Sequence, residues 1–308
     1  MTPCLFSISY GGLWGQATLD LPDFIAKAAA LGYRAVMLAG KRPHLSPLDY
    51  PPDRVTELRA VLDRHGVACP VVAAYTDFAG MPAAEVPAIE LQVAYVESLC
   101  RIGRGLGASV VRVFTAYEAD SQPVGSLWTR AVGALREVCD RAAGYGFTVA
   151  IQNHHDLAVH SDALLELLGD IDRPSCKLGF DAWSPALRGE DLYETARRMA
   201  PHTVITTNAD YVRLPRFRYR PDVVNYERVP PDLVRAVPFG DGFIDYRAFF
   251  AGLRDGGFDG VANYEMCSPL RGGGPVENLD RCAAGYLHWL TEDGKKLTTE
   301  AQRHRAVK

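Results

Sequence analysis

No apolar run in this 308-residue sequence approaches the ~20 residues that span a bilayer, which argues against a membrane protein. The opening residues, MTPCLFSISY, lack a charged segment followed by a long apolar one, so no secretory signal is expected. The seven cysteines are scattered singly, without a C-x-x-C pair. Cys69, Cys139 and Cys176 sit in apolar surroundings, so reduced core thiols and a cytoplasmic location are expected. There is no long basic stretch and the net charge is −4, which disfavours nucleic acid as a partner. No G-x-G-x-x-G follows the first apolar strand, which weakens a dinucleotide-binding reading.

What is present is ordinary globular material, 48% hydrophobic and 23% charged, arranged in one repeated pattern. Short apolar runs at 4–10, 34–40, 68–75, 109–115, 148–154, 176–181, 203–210 and 260–266 read as strands. Each is followed by a segment of helical periodicity, at 21–32, 51–66, 86–106, 127–145, 161–171, 190–200, 245–257 and 276–291. Pro at the start and Gly at the end of 51–66 mark its boundaries. Eight alternating units predict an α/β chain with a parallel sheet closed as a single (β/α)8 TIM barrel over 1–294. A polar C-terminal tail is expected at 295–308, and a long Arg-, Tyr- and Pro-rich loop at 211–244, between strand seven and its helix. A segment that long predicts a lid or a binding loop.

A barrel of this kind carries its chemistry at the carboxyl ends of its strands. Strand five ends in VAIQNHHD, where Gln152 and His154 share a face by alternation. Asp181 ends strand six, Thr207 and Asn208 strand seven, and Glu265 strand eight. Unpaired, such groups cost several kcal/mol to bury, and a bound cation removes that cost. An internal salt bridge of the carboxylates with Lys177 or Arg112 is the plainer alternative. Lys41 and His44 follow strand two, Tyr75 ends strand three, Arg112 lies in strand four, Trp183 follows strand six, and Arg216 sits in the long loop. All six are candidate substrate-binding residues. Arg271–Gly274, RGGG, offers either a backbone anion site or a tight turn.

These strand ends resemble the sugar phosphate isomerase/epimerase superfamily, the xylose-isomerase-like barrels, over about residues 4–290. The resemblance implies a divalent metal, most commonly Mn²⁺, with Mg²⁺ as the other candidate. It would be held by Glu, Asp, His and Glu at the ends of strands five to eight. Here Gln152 stands in the first place, Asp181 in the second and Glu265 in the fourth. The third falls in TNAD, with Thr207 at the His place and Asn208 beside it; one residue of alignment separates the two, and Asn208 is taken into the ligand set. An all-oxygen set suits such hard cations.

Epimerases of that superfamily use their first and last Glu as opposed bases, and a Gln cannot take a proton. The phrases SYGGLWGQATLDL, GKRPHLSPLDY, QNHHD, ADYVRLPRFRY and YEMCSPLRGGG further resemble the catalytic subunits of bacterial C-glycoside deglycosidases. That resemblance implies a metal-dependent lyase acting on a 3-oxo-glycoside. His154, or secondarily His155, would act as base with Glu265 as a further catalytic group, and the aglycone would leave by β-elimination. It also implies a smaller partner subunit, with a homo-oligomer equally compatible. The alternatives are a sugar isomerase or epimerase and a non-catalytic carbohydrate-binding barrel.

Overall fold

The computed structural model describes the backbone of residues 1–80, 85–120 and 122–305, with side chains up to 292. Eight strands form one closed parallel barrel: β1 (Thr2–Phe6), β2 (Ala35–Ala39), β3 (Ala68–Ala73), β4 (Val110–Val113), β5 (Thr148–Gln152), β6 (Cys176–Gly179), β7 (Thr203–Asn208) and, after an inserted arm, β12 (Val261–Tyr264). β1 closes the ring by pairing with β12, Leu5 beside Tyr264. The single (β/α)8 barrel expected from the alternation is therefore what the chain forms.

The helices sit where local chemistry starts and stops them. Asp20 accepts a hydrogen bond from Asp23 N at 2.9 Å to begin α1 (Leu21–Ala30). α2 (Pro52–His65) begins on a proline and ends at Gly66 in the left-handed region. α3 (Ala88–Leu106), α4 (Val124–Gly144), α5 (Ser161–Ile171), α6 (Trp183–Arg188), α7 (Leu192–Met199) and α8 (Tyr246–Asp255) complete the outer layer with α9. α9 runs Val276–Arg305, so helical backbone continues through the segment read as a tail; 306–308 lie outside the described residues. All seven cysteines are unpaired, and all but Cys267 are buried. Among the described residues no helix is long and apolar enough to cross a membrane.

Strand alternation divides the core in two. One set faces the helices; the other, including Phe6, Met37, Val71, Ala73, Ala150 and Ile205, fills the barrel interior. Two residues beyond the interior positions Ala150 and Ile205 come Gln152 and Thr207, which therefore open on the carboxyl-terminal mouth.

The long loop is not irregular. It is an arm of two antiparallel ribbons: β8 (Asp210–Leu214) pairs with β11 (Leu233–Val237), and β9 (Phe217–Arg220) with β10 (Asn225–Arg228). Its base is pinned by Asp210, which accepts hydrogen bonds from Tyr211 N, Gly240 N and Gly242 N, each at 2.9 Å. Proline and arginine concealed the strands because both faces of β9 and β10 are exposed, leaving no apolar alternation to read.

Candidate active site

Asp181 is the best-anchored group at the mouth. Its Oδ1 accepts a hydrogen bond from Thr207 N at 2.7 Å, and its Oδ2 accepts one from Gln152 Nε2. Its backbone is clamped by Asn153, which donates from Nδ2 to Asp181 O at 2.9 Å and accepts from Asp181 N at 2.7 Å. As the odd-parity neighbour of Gln152, Asn153 carries no signal in the sequence except its place in the polar run. Burial, then the charge of Glu265, pushes the Asp181 carboxyl well above its usual range. Burial also raises Glu265, although Arg112 opposes this. Arg112 is 1% exposed, yet no ion pair joins it or Lys177 to either carboxylate among the described residues. Its guanidinium carbon lies 4.0 Å from the Phe114 ring centroid and 4.8 Å from that of Tyr75.

The two histidines touch. Their Nδ1 atoms are 2.9 Å apart, and His154 Nδ1 also lies 2.8 Å from the backbone N of His155. Since that N–H must donate, His154 Nδ1 is an acceptor, and the proton between the rings belongs to His155. Donor accounting thus leaves His154 protonated on Nε2 and His155 with a bare Nε2. His155 is held in the left-handed region, φ 70°, with its ring 4.0 Å from Tyr117 and 4.2 Å from Phe114. His154 lies 5.7 Å from Trp183. Burial, reinforced by Arg112, lowers His154 to about 4. Burial, then His154 and Arg112, lowers His155 to about 3. Both imidazoles are therefore uncharged at neutral pH.

Lys41, Tyr75, Arg112, Gln152, His154, His155, Asp181, Trp183 and Glu265 thus come together at one end of the barrel. Three other candidates do not. Asn208 points away from the mouth: its Nδ2 donates to Asn263 O at 3.0 Å and Tyr286 Oη at 3.1 Å, in the layer between barrel and α9. Alternation gives the inward place to Thr207, whose buried Oγ1 has no partner. His44 is buried beside Phe24 of α1, with Nε2 3.2 Å from Leu19 O, because the chain turns outward after Lys41. Arg216 is exposed on the arm and donates to Pro231 O at 3.3 Å. The RGGG segment is a tight turn, with positive φ at Gly272 and Gly273 and the N–H groups of Arg271 and Gly273 spent on carbonyls. Two residues not foreseen border the site. Trp14 packs on the interior cluster, and Cys267 Sγ lies 2.6 Å from Tyr211 Oη.

A family profile described as xylose isomerase-like TIM barrel matches residues 25–285. The chain belongs to that family. Solved structures with the family's fold include a probable 3-DHS dehydratase from Bacillus anthracis, at TM-score 0.72 and 17% identity, covering 94% of this chain and 99% of that one. A D-allulose 3-epimerase from Methylomonas sp. aligns at TM-score 0.72 and 15% identity, covering 95% and 97%. A xylose isomerase domain protein from Alicyclobacillus acidocaldarius gives 0.69 and 18%, covering 94% and 98%. No curated protein matches by sequence.

Among the described residues no three His, Cys, Asp or Glu side chains cluster as a metal site. Two carboxylates raised by burial, Asp181 further by the charge of Glu265, an orphaned buried hydroxyl and an amide nevertheless make an all-oxygen set open to a hard divalent cation. The fit rests on neutral oxygens of Gln152 and Thr207 beside Asp181 and Glu265.

Proposed function

We propose that the protein removes a proton alpha to a carbonyl of a sugar-derived substrate and expels a group from the next carbon, as a lyase of oxidised glycosides. The observation that carries this reading is the pair of uncharged imidazoles immediately beyond Gln152, where the strand offers no carboxylate. The bare Nε2 of His155 takes the proton. His154 holds His155 in the required tautomer and shares the positive charge that forms. Imidazoles lowered this far are weak bases, so they suit a C–H bond already acidified by a ketone, as in a 3-oxo-glycoside, and not an unactivated sugar. Trp14, Phe114, Tyr117 and Trp183 give aromatic walls for a sugar face. A divalent cation, Mn²⁺ or Mg²⁺, held by Gln152, Asp181, Thr207 and Glu265 would supply polarisation of the carbonyl.

One observation favours epimerisation as the second reading. Glu265, raised by burial, ends β12 while the histidines end β5, with β6 and β7 between them, so two proton-transfer groups flank the mouth. Incubating the metal-supplemented protein with a 3-oxo-glycoside in deuterated buffer separates the two. A lyase releases aglycone; an epimerase returns intact deuterated sugar. Aglycone release from the unoxidised glycoside at an equal rate contradicts the lyase reading.

A further inference from the structure

The mouth is electrically lopsided. Its carboxylates end β6 and β12, whereas its cations, Lys41 and Arg112, lie on the opposite arc formed by β2 to β4. The Lys41 ammonium sits 3.8 Å from the Tyr75 ring centroid, and Arg112 covers the same ring at 4.8 Å. Among the described residues no carboxylate lies within ion-pair distance of Lys41. Arg112 Nη1 donates to Ala74 O at 3.0 Å, and its buried Nε has no partner. The buried Tyr75 hydroxyl faces the Arg112 guanidinium, itself a donor, so the phenol proton lacks an acceptor. Burial holds that phenol in its protonated form, so it can donate. Two like charges sharing one aromatic ring repel, and burial and Arg112 both push Lys41 below its usual value. Buried donors left without acceptors cost about 1–3 kcal/mol each, more when charged. A neutral hydroxyl could satisfy one of them but would leave the repulsion in place. An anionic oxygen group seated between Lys41 and Arg112 would relieve the repulsion and would accept from these donors.

We propose that Lys41, Tyr75 and Arg112 form a subsite for an anionic substituent, carboxylate or phosphate, on the sugar-derived substrate. The subsite deepens the proton-abstraction reading and rests on it for the kind of molecule bound, though its own test needs no turnover. The full-length protein is titrated calorimetrically with D-glucuronate, D-glucose 6-phosphate and D-glucose. At least one anionic probe should bind about ten- to a hundredfold more tightly than glucose, the range for charged hydrogen bonds. Preference for glucuronate identifies a carboxylate; preference for the phosphate ester identifies a phosphorylated substrate. Lys41→Gln should erase the preference while the melting temperature is retained. Glucose binding as tightly as both anions, no binding of either anion, or a preference surviving in Lys41→Gln overturns the assignment. Exchange of alpha protons into deuterated buffer is measured separately. Anion preference without exchange in any keto sugar leaves the subsite standing and removes the chemistry; exchange without anion preference does the reverse.

Discussion

Replacing His155 by Gln keeps a polar side chain of similar reach but removes the lone pair assigned to its Nε2. Loss of a general base typically slows turnover by about 10²–10⁴, which at 1.36 kcal/mol per decade raises the barrier by about 2.7–5.4 kcal/mol. Stability should barely follow. His155 occupies φ 70°, a conformation that costs a side-chain-bearing residue about 1–2 kcal/mol, and Gln bears the same cost. His155→Gly relieves that strain while losing ring contacts with Phe114 and Tyr117, so its melting temperature should stay near that of the parent although its activity collapses. The assay is alpha-proton exchange and aglycone release from a 3-oxo-glycoside, followed against pH. A base works when unprotonated, and burial places the His155 transition near 3 instead of the usual ~6.5. The rate should therefore hold from pH 7 through 5 and decline only towards about 3 to 4. Full exchange by His155→Gln, or a decline centred near pH 6.5, refutes the base assignment.

Asp181→Ala and Glu265→Ala should each abolish Mn²⁺ binding, measured by calorimetry, with circular dichroism unchanged. Gln152→Glu should tighten it by adding an anion, and weaker binding would count against the ligand set. Gly242→Ala should lose about 1–3 kcal/mol in urea unfolding, because the new Cβ would collide with Asp210 Oδ1 and meet Tyr211 O at 2.6 Å, prising the arm from its anchor. The arm from 211 to 237 carries six arginines against three acidic residues, leaving the rest of a −4 chain at −7. With Phe217, Tyr219, Val223, Val224 and Tyr226 exposed, it should dock on the acidic body of a second copy. Replacing 216–229 by a short glycine turn should then convert a dimer to a monomer in sedimentation, and a parent chain that already sediments as a monomer contradicts the docking.

Alternation of apolar and helical segments pointed to the eight-stranded barrel without any coordinates, because periodicity is a local property and eight strand–helix units in this length favour closure over an open doubly wound sheet. The same logic brought Gln152, Asp181, Glu265 and the histidines to one end, since every strand of a parallel barrel ends at the same mouth. Tertiary structure decided whatever hung on a single residue of register or on the path of a turn. Thr207 faces inward and Asn208 outward, because one step along a strand reverses the side chain. His44 leaves the site because the chain bends towards α1 two residues after Lys41. The arm became two ribbons whose pairing partners lie far apart in sequence and whose faces bear no pattern. The choice of His155 as the bare nitrogen came from one N–H that a neighbouring ring must accept. That constraint exists only once the backbone has turned into the left-handed region, which no sequence period encodes.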